Sequence, residues 1–440
     1  MKSSLSFLMA LTFAGSACAA ADLLQVYRDA QGHDAQYAAA RATRDAGLEK
    51  LPQGRAGLLP TIGLTGNTTW NDVEAKSRAA GSTTRSADYN SNGWSLSLSQ
   101  PVFRWQNWIG YQQAELAVAI SEAQLAQAGQ DLIVRAAQAY FDVLLAQEAL
   151  ATAQAQKTAI GEQLESAKRN FEVGTSTITD THEAQARYDL AFAQEIVADN
   201  DLAVKRQILR TLTGKEPEAL KGLKTSLQIG RPQPDDIARW VESAEGGNLA
   251  VQIAQTSFES AQREIDKQRA GHYPTLDLVA THGKTGVGGS ITTGVGSDSK
   301  SSTIGLQLSL PIFSGGTVMS KEREAVALQE KARADLDNAR RQATLGARQA
   351  YLGVNAGLAQ VKALEAGVAS SQLAVESNKL GYEVGVRINI DVLNAQSQLF
   401  DTRQKLAKAR LDTLISQLRL KSAAGSLSED DLAAINALLE

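Results

Sequence analysis

The chain has 440 residues, of which 43% are hydrophobic, 21% charged and only 5% aromatic, with 8 prolines and a single cysteine. Its mean hydropathy of −0.21 and the absence of any run of about eighteen apolar residues exclude a protein built from several transmembrane helices. A formal net charge of −4 offers no basic surface, so we expect no nucleic-acid partner, whereas membrane contact through a β-barrel stays open.

The first nineteen residues predict a secretory signal peptide. Lys2 gives a short basic start, residues 5–15 are mostly apolar, and the small residues at 17–19 fit a cleavage site. Cys18 is an alternative lipid-attachment site, although Gly15 stands where such sites prefer an aliphatic residue. Cleavage after Ala19 would leave a mature chain without cysteine, and therefore without a disulfide or a thiol nucleophile.

An internal repeat organises the rest of the chain, because short motifs recur about 210 residues later. We therefore predict two structural units, over residues 20–235 and 236–440. The matched positions are Pro60 with Pro274, Pro101 with Pro311, Tyr140 with Tyr351, Gly174 with Gly385, and Asp180 with Asp391.

Alternating apolar residues predict a β-hairpin in each unit, at 61–101 and 275–313. The four strands would have roughly ten residues each, the length of a tilted strand that crosses a membrane. Polar segments rich in Gly, Ser and Thr, at 71–92 and 281–302, predict the hairpin loops. Taken alone, a soluble β-sandwich edge explains the pattern equally well. Four tryptophans are expected at or just beyond the strand ends, where they would form the aromatic band of a membrane interface: Trp70, Trp94, Trp105 and Trp108.

Proline-free stretches with a helical period predict an opening helix, a long helix and a return helix in each unit. Each long helix would measure about 100 Å, which is also the summed length of a return helix and an opening helix. Alanine-rich helices of this length bury little by themselves, so we expect the chain to form an oligomer. The predicted helices are 22–57, 106–172 and 178–212 in the first unit, and 236–270, 316–383 and 389–424 in the second.

Four strands cannot close a barrel, and lipid cannot satisfy the hydrogen bonds of an open sheet edge. Several copies must therefore share one barrel. The residues themselves leave open a dimer with eight strands and a trimer with twelve. A water-filled interior is favoured by the polar residues expected to face inward: Thr61, Thr65, Ser95, Ser97 and Ser99.

Several motifs, in chain order, resemble one known family. They are the segment 24–27, the strand starts at Pro60 and Pro274, the segment 309–313, the segment 381–393 above all, and the tail at 421–427. Together they make the chain similar, from end to end after the signal peptide, to the TolC family of outer-membrane efflux and type I secretion channel proteins.

The resemblance implies an α+β membrane protein with an internal two-fold repeat. Four strands per protomer would contribute to a shared 12-stranded outer-membrane β-barrel, continued by a long periplasmic α-helical barrel in a homotrimer. It further implies the exit duct of a tripartite efflux pump or a type I secretion system, in the outer membrane of a Gram-negative cell. The implied partners are outer-membrane lipid, a periplasmic adaptor and an inner-membrane transporter, either ABC-type or proton-driven.

The resemblance also assigns a periplasmic gate to four residues: Asp180, Tyr382, Arg387 and Asp391. Arg387 and Asp391 are four residues apart and share one helix face. The first unit has Phe171 and Ser176 where the second has Tyr382 and Arg387, so only the second helix pair carries these donors, whereas Asp180 of the first can accept. This asymmetry favours a latch between unlike helix pairs, in which a charged hydrogen bond contributes about 1.5–3 kcal/mol. An ordinary solvated ion pair, worth about 0.3–0.5 kcal/mol, is the alternative.

Asn394 occupies the position of a second constriction aspartate in the family. Three copies of Asp391 would still ring the pore with negative charge and bind polyvalent cations, but we expect weaker cation selectivity than two acidic rings would give. The resemblance assigns adaptor contacts to the turns between long and return helices, where glycine also suits any tight helix end. The residues of these turns are Val173, Gly174, Thr175, Val384, Gly385 and Val386.

Nothing in the sequence predicts an enzyme, a cofactor or a bound metal. The four histidines are scattered, without the spacing of a metal site or a catalytic triad. Gly283, Lys284 and Thr285 imitate the end of a phosphate-binding loop, but Leu278 stands where that motif needs glycine. The alternative from another class is a secreted or periplasmic structural coiled-coil protein without a pore, against which the two matching hairpins argue.

Overall fold

The computed structural model describes residues 21–76, 78, 81, 83–216, 219–224 and 229–440. The predicted signal peptide at 1–19, including Cys18, lies outside the described residues. The helices are α1 (Leu23–His33), α2 (Ala35–Leu48), α3 (Lys50–Ala56), α4 (Trp105–Glu172), α5 (Ile178–Thr213), α6 (Ile237–Gly247), α7 (Leu249–Arg269), α8 (Thr317–Glu383), α9 (Asn389–Ala423) and α10 (Glu429–Asn436). The strands are β1 (Thr61–Lys76), β2 (Thr84–Phe103), β3 (Thr275–Val287) and β4 (Ser297–Ser309).

Each predicted opening helix is broken near its start. Asp34 ends α1 with an extended backbone, ψ 118°, and Asn248 ends α6 in the same way, ψ 127°. The two positions are equivalent in the repeat. Asp and Asn favour such breaks because their side chains can accept or donate at backbone groups that a helix end leaves unpaired. The Asp34 carboxylate accepts from the backbone N–H of Tyr37 at 2.8 Å, in the first turn of α2.

The break at Asp34 is fixed by an ion pair. Arg135 of α4 donates two hydrogen bonds to the Asp34 carboxylate, at 3.1 and 2.8 Å. These bonds lower the pKa of Asp34, against the opposing effect of burial. A two-pronged contact of this kind holds the planar guanidinium in one orientation, so it positions the start of α2 against α4.

The strands form one antiparallel sheet in the order β1-β2-β3-β4, which leaves β1 and β4 at its edges. They contain 16, 20, 13 and 13 residues, so the predicted loops at 71–92 and 281–302 were too long. The ladders continue into both polar segments, where side chains add their own bonds, such as Asn71 Nδ2 to Ser91 Oγ at 2.9 Å. A strand that is polar on both faces lacks the alternation that marks it in the sequence.

The longer strands change the placement of two tryptophans. Trp70 pairs with Asn90 inside β1, and Trp94 pairs with Gly66 inside β2, so the prediction that both lie at strand ends was wrong. Trp105 and Trp108 lie in the first turn of α4, just beyond β2, as expected. The phosphate-loop imitation around Lys284 lies within β3, where the backbone N–H groups are committed to the sheet.

Two compact units are present. One contains the described residues up to Ala39 with Gln127–Asn248 and Ala343–Glu440, and the other contains Ala40–Ala126 with Leu249–Gln342. The first unit holds the largest apolar core, built around the fully buried Tyr140 and Phe141 of α4. The second unit contains the sheet.

A close backbone approach in the first unit depends on glycine. Gly425, after α9, has φ +73°, and a Cβ there would overlap the carbonyl oxygen of Gly247 at the end of α6. Gln130 of α4 donates to the carbonyl of Gly425 at 3.1 Å and to that of Leu427 at 3.2 Å. The segment after α9 is therefore held at this point by hydrogen bonds as well as by contact.

Candidate functional site

The turns between the long and return helices have the same geometry in both repeats. Gly174 and Gly385 adopt φ +79° and +77°, a left-handed conformation that only glycine enters without strain. Each turn is closed by a backbone bond back to the long helix, from Thr175 to Asn170 at 2.8 Å and from Val386 to Gly381 at 2.9 Å. The predicted contact residues of both turns are exposed.

The exposed turns are apolar at their outermost points. Val173, Val384 and Val386 each expose more than 60% of their surface, at 73%, 65% and 76%. Exposed valines grouped with glycine on a projecting turn are typical of a contact surface rather than of a solvated loop. These three valines are among the six residues that the family resemblance assigns to adaptor contact.

Asp180 is held within its own helix pair. Its carboxylate accepts from the Ser176 hydroxyl at 2.7 Å, and from the backbone N–H and hydroxyl of Thr177 at 3.1 and 2.9 Å. The Thr177 side chain accepts in turn from the Asp180 N–H, which completes a capping box at the start of α5. Burial opposes ionisation of Asp180, but the hydrogen bonds from Ser176 and Thr177 prevail, and its pKa is lowered.

Tyr382 and Arg387 have different neighbours from Asp180. The Tyr382 hydroxyl accepts a hydrogen bond from Asn170 Nδ2 at 3.1 Å, so it joins the second helix pair to the first. Arg387 Nη1 lies 3.6 Å from Asp391 Oδ2, and both side chains are partly exposed. Arg387 belongs to the turn before α9, and only Asp391 is helical, so the prediction that the two share one helix face was wrong. Among the described residues of one chain, no hydrogen bond joins Asp180 to either Tyr382 or Arg387.

Asn394 also joins the two return helices. Its side-chain oxygen accepts from Arg187 Nη2 of α5 at 3.1 Å. A third link joins Gln163 of α4 to Asn389 at the start of α9. These partners were missed by the sequence reasoning. Comparison of the repeats held a signal, since Asn170 has Gly381 as its counterpart, and Asn389 has Ile178.

The contact between the two helix pairs also contains buried polar groups. Asn389 and Gln396 are only 3% and 4% exposed, and they lie beside a small apolar cluster that includes Leu164 and Leu393. Within the described part of the chain, Asn389 Nδ2, Gln396 Oε1 and Thr181 Oγ1 are buried and lack a hydrogen-bond partner. Each unpaired group costs about 1–3 kcal/mol, so this packing resists separation less than a wholly apolar contact would.

Two features are absent from the described residues. They contain no cluster of three or more His, Cys, Asp or Glu side chains arranged around a common metal position. None of their helices combines the length and the apolar character needed to cross a bilayer.

Comparison with known proteins identifies the family. The sequence model of the family described as outer membrane efflux protein matches residues 26–215 and 240–426. The chain belongs to this family. It is 34% identical to the outer membrane protein TolC of Vibrio cholerae over 433 residues, 98% of this chain and 97% of the relative. It is 33% identical to the alkaline protease secretion protein AprF of Pseudomonas aeruginosa, over 93% of this chain and 85% of that protein.

Solved structures share the fold. The outer membrane protein VceC of Vibrio cholerae superposes with a TM-score of 0.78 at 19% identity, over 92% of this chain and 96% of VceC. The family, the fold class, the outer-membrane location and the role as a channel, all predicted from the sequence of this efflux protein, are confirmed. The relatives are channel and secretion proteins, so they give no support to an enzymatic role.

Proposed function

We propose that three copies of this efflux protein form one exit duct for an efflux pump or a type I secretion system. The observation that carries this proposal is the four-stranded sheet, whose edges β1 and β4 have no partner within the chain that the structure describes. A sheet in lipid must close, because lipid cannot pair with edge N–H and C=O groups. Twelve strands from three chains would close it around a lumen.

The alternation of the strands supports the same arrangement. Ile62 pairs with Leu98, and Leu64 with Leu96, so one face of the β1–β2 hairpin is apolar. Thr61 pairs with Ser99, and Thr65 with Ser95, so the other face is polar. We assign the apolar face to lipid and the polar face to a water-filled pore. The two stretches matched by the family model support the proposed repeats over 20–235 and 236–440.

We assign the periplasmic gate to Asp180, Tyr382, Arg387 and Asp391. The proposal is supported by the Asn170–Tyr382 bond, which joins unlike helix pairs at the level of the turns. Arg387 and Asp391 are exposed enough to contact a neighbouring protomer. Opening would separate the second helix pair from the first along the contact that holds the unpaired groups of Asn389 and Gln396.

The pore charge at this gate provides a prediction. Asp391 would place three negative charges around the pore, whereas Asn394 is neutral and lies against the Arg187 guanidinium. We expect Asn394→Asp to increase cation selectivity, because it adds a second acidic ring. Reversal potentials across a salt gradient in planar bilayers measure the effect.

A matched control removes the neighbouring cation. Arg187→Gln should shift selectivity in the same direction by a smaller amount, since it withdraws one positive charge per chain without adding a negative one. If the reversal potential of Asn394→Asp equals that of the wild-type channel, residue 394 does not lie in the ion path.

We further propose that the exposed turns dock a periplasmic adaptor, which couples the duct to an inner-membrane ABC or proton-driven transporter. The apolar surface at Val173, Val384 and Val386 supports this assignment. Transport energy would come from the transporter, and the chain itself would have no catalytic activity and no cofactor.

Site-directed crosslinking tests the docking surface. A cysteine in place of Val386, crosslinked in cells, should capture the adaptor, whereas a cysteine in place of Glu330, an exposed position of α8, should not. The purified protein should also conduct ions in planar bilayers. Secretion of the chain without conductance would instead support a structural coiled-coil protein.

A further inference from the structure

The face of the sheet that we assign to lipid changes character toward the hairpin loops. Residues paired directly across antiparallel strands point to the same side of a sheet. Ile62, Leu98, Ala280 and Ile304 therefore form one continuous apolar row across the four strands. Ile304 is 77% exposed in the single chain, as expected for a side chain that contacts lipid in the membrane.

Two rows nearer the loops, the same face becomes basic. Trp94 of β2 pairs with Lys284 of β3, which pairs in turn with Lys300 of β4. The row between them contains His282 and Ser302, whose side chains are hydrogen-bonded at 2.7 Å. The displacement from Ala280 to Lys284 is about 13 Å along the strand. We call Trp94, Lys284 and Lys300 the lysine row.

The two lysines are not neutralised as a pair. Lys284 Nζ forms an ion pair with Asp298 Oδ2 at 2.9 Å, whereas Lys300 has no ion-pair partner among the described residues. Like charges placed directly opposite each other on adjacent strands destabilise a sheet. One carboxylate therefore pairs with only one of the two ammonium groups. The remaining acidic side chains on this face, Asp72, Asp88 and Glu74, belong to rows about 20 Å or more further along the strands.

Trp94 places the lysine row at a boundary. Its ring packs edge-on against His282 in the row between, with ring centroids 5.5 Å apart, so the ring lies between the lysine row and the last apolar rows. Tryptophan takes this position where hydrocarbon meets lipid headgroups. Lysine side chains at the same level reach the headgroups while their methylene carbons stay in apolar surroundings.

We propose that the lysine row binds the phosphate of a membrane-lipid headgroup on the outer surface of the barrel. The Lys300 ammonium, assisted by Lys284, would contact the phosphate oxygens, and the Trp94 ring would contact the first carbons of the acyl region. Three such sites would occur in the trimer. This assignment rests on the proposed barrel, in which the apolar face of the sheet contacts lipid.

Native mass spectrometry of the detergent-purified full-length oligomer tests the proposal. The probes are a glucosamine-based glycolipid that carries phosphate monoesters, the same glycolipid without phosphates, and inorganic phosphate as competitor. The wild-type protein should retain the phosphorylated glycolipid, and Lys284→Gln with Lys300→Gln should reduce its affinity about fivefold for each lysine removed. Lys321→Gln, at an exposed position of α8, is the matched control and should leave retention unchanged.

Three results would overturn the proposal. They are equal retention of the two glycolipids, unchanged retention by the double lysine variant, and complete displacement by millimolar inorganic phosphate, which would indicate a simple anion site. Conductance in planar bilayers distinguishes failure of this proposal from failure of the proposed function. The double lysine variant should conduct as the wild-type channel does. A wild-type protein that does not conduct would contradict the duct itself.

Discussion

Alanine in place of Gly425 is expected to destabilise the protein by about 3 kcal/mol or more, the largest effect of any single change considered. Two costs combine. The left-handed backbone at φ +73° strains any residue that has a Cβ, by about 1–3 kcal/mol. The added carbon would also overlap the carbonyl oxygen of Gly247, and the Gly425 backbone cannot move without disturbing the bonds from Gln130. Urea unfolding of the purified protein measures the loss.

Gly294 separates the two costs. It has the same φ of +73°, but a Cβ there would meet no atom within 4 Å. Gly294→Ala should therefore show the backbone strain alone, with a loss of about 1 kcal/mol. Equal losses for the two variants would contradict the close approach of Gly425 to Gly247.

Removing the proposed latch is expected to raise single-channel conductance severalfold. Tyr382→Phe abolishes the hydroxyl that accepts from Asn170, and Arg387→Ser removes the guanidinium beside Asp391. The first change removes a neutral hydrogen bond, worth about 0.5–1.5 kcal/mol, and three-fold symmetry repeats both losses in every protomer. Recordings in planar bilayers compare the double variant with the wild-type channel.

Two further variants define how specific the latch is. Asn170→Ala leaves Tyr382 and Arg387 in place and should raise conductance less, because a neutral hydrogen bond contributes only about 0.5–1.5 kcal/mol. Lys168→Gln changes an exposed ion pair with Glu165 on the same turn and should have no effect. Unchanged conductance in the Tyr382 and Arg387 double variant would exclude these residues from the gate.

The fold class followed from the sequence because its determinants are local or repeated. Strand alternation around Leu96 and Leu306, the long stretches without proline and the duplicated motifs each describe one element without reference to its neighbours. The breaks at Asp34 and Asn248 were missed, although both residue types favour helix ends. Within an otherwise helical pattern, a single polar residue is ambiguous until its partner, such as Arg135, is known.

The hairpin ends and the gate contacts could not be predicted either, and the physical reason differs from that for the helix breaks. Residues 71–76 and 84–92 are mostly polar on both faces, so their strand character comes from the paired backbone and not from a period. The links from Asn170 to Tyr382 and from Arg187 to Asn394 join residues more than two hundred positions apart. Only the packing of helices from different repeats brings these side chains within reach, and composition or spacing does not encode that packing.

The open edges of the sheet have a consequence for biogenesis. A strand edge with unpaired N–H and C=O groups attracts any other extended chain, which makes it a starting point for aggregation. β1 and β4 provide two such edges in every newly made protomer. The same edges that would join identical protomers can therefore cause each protomer to aggregate before assembly. We expect the isolated chain to need protection from aggregation until it assembles rapidly with other copies of itself.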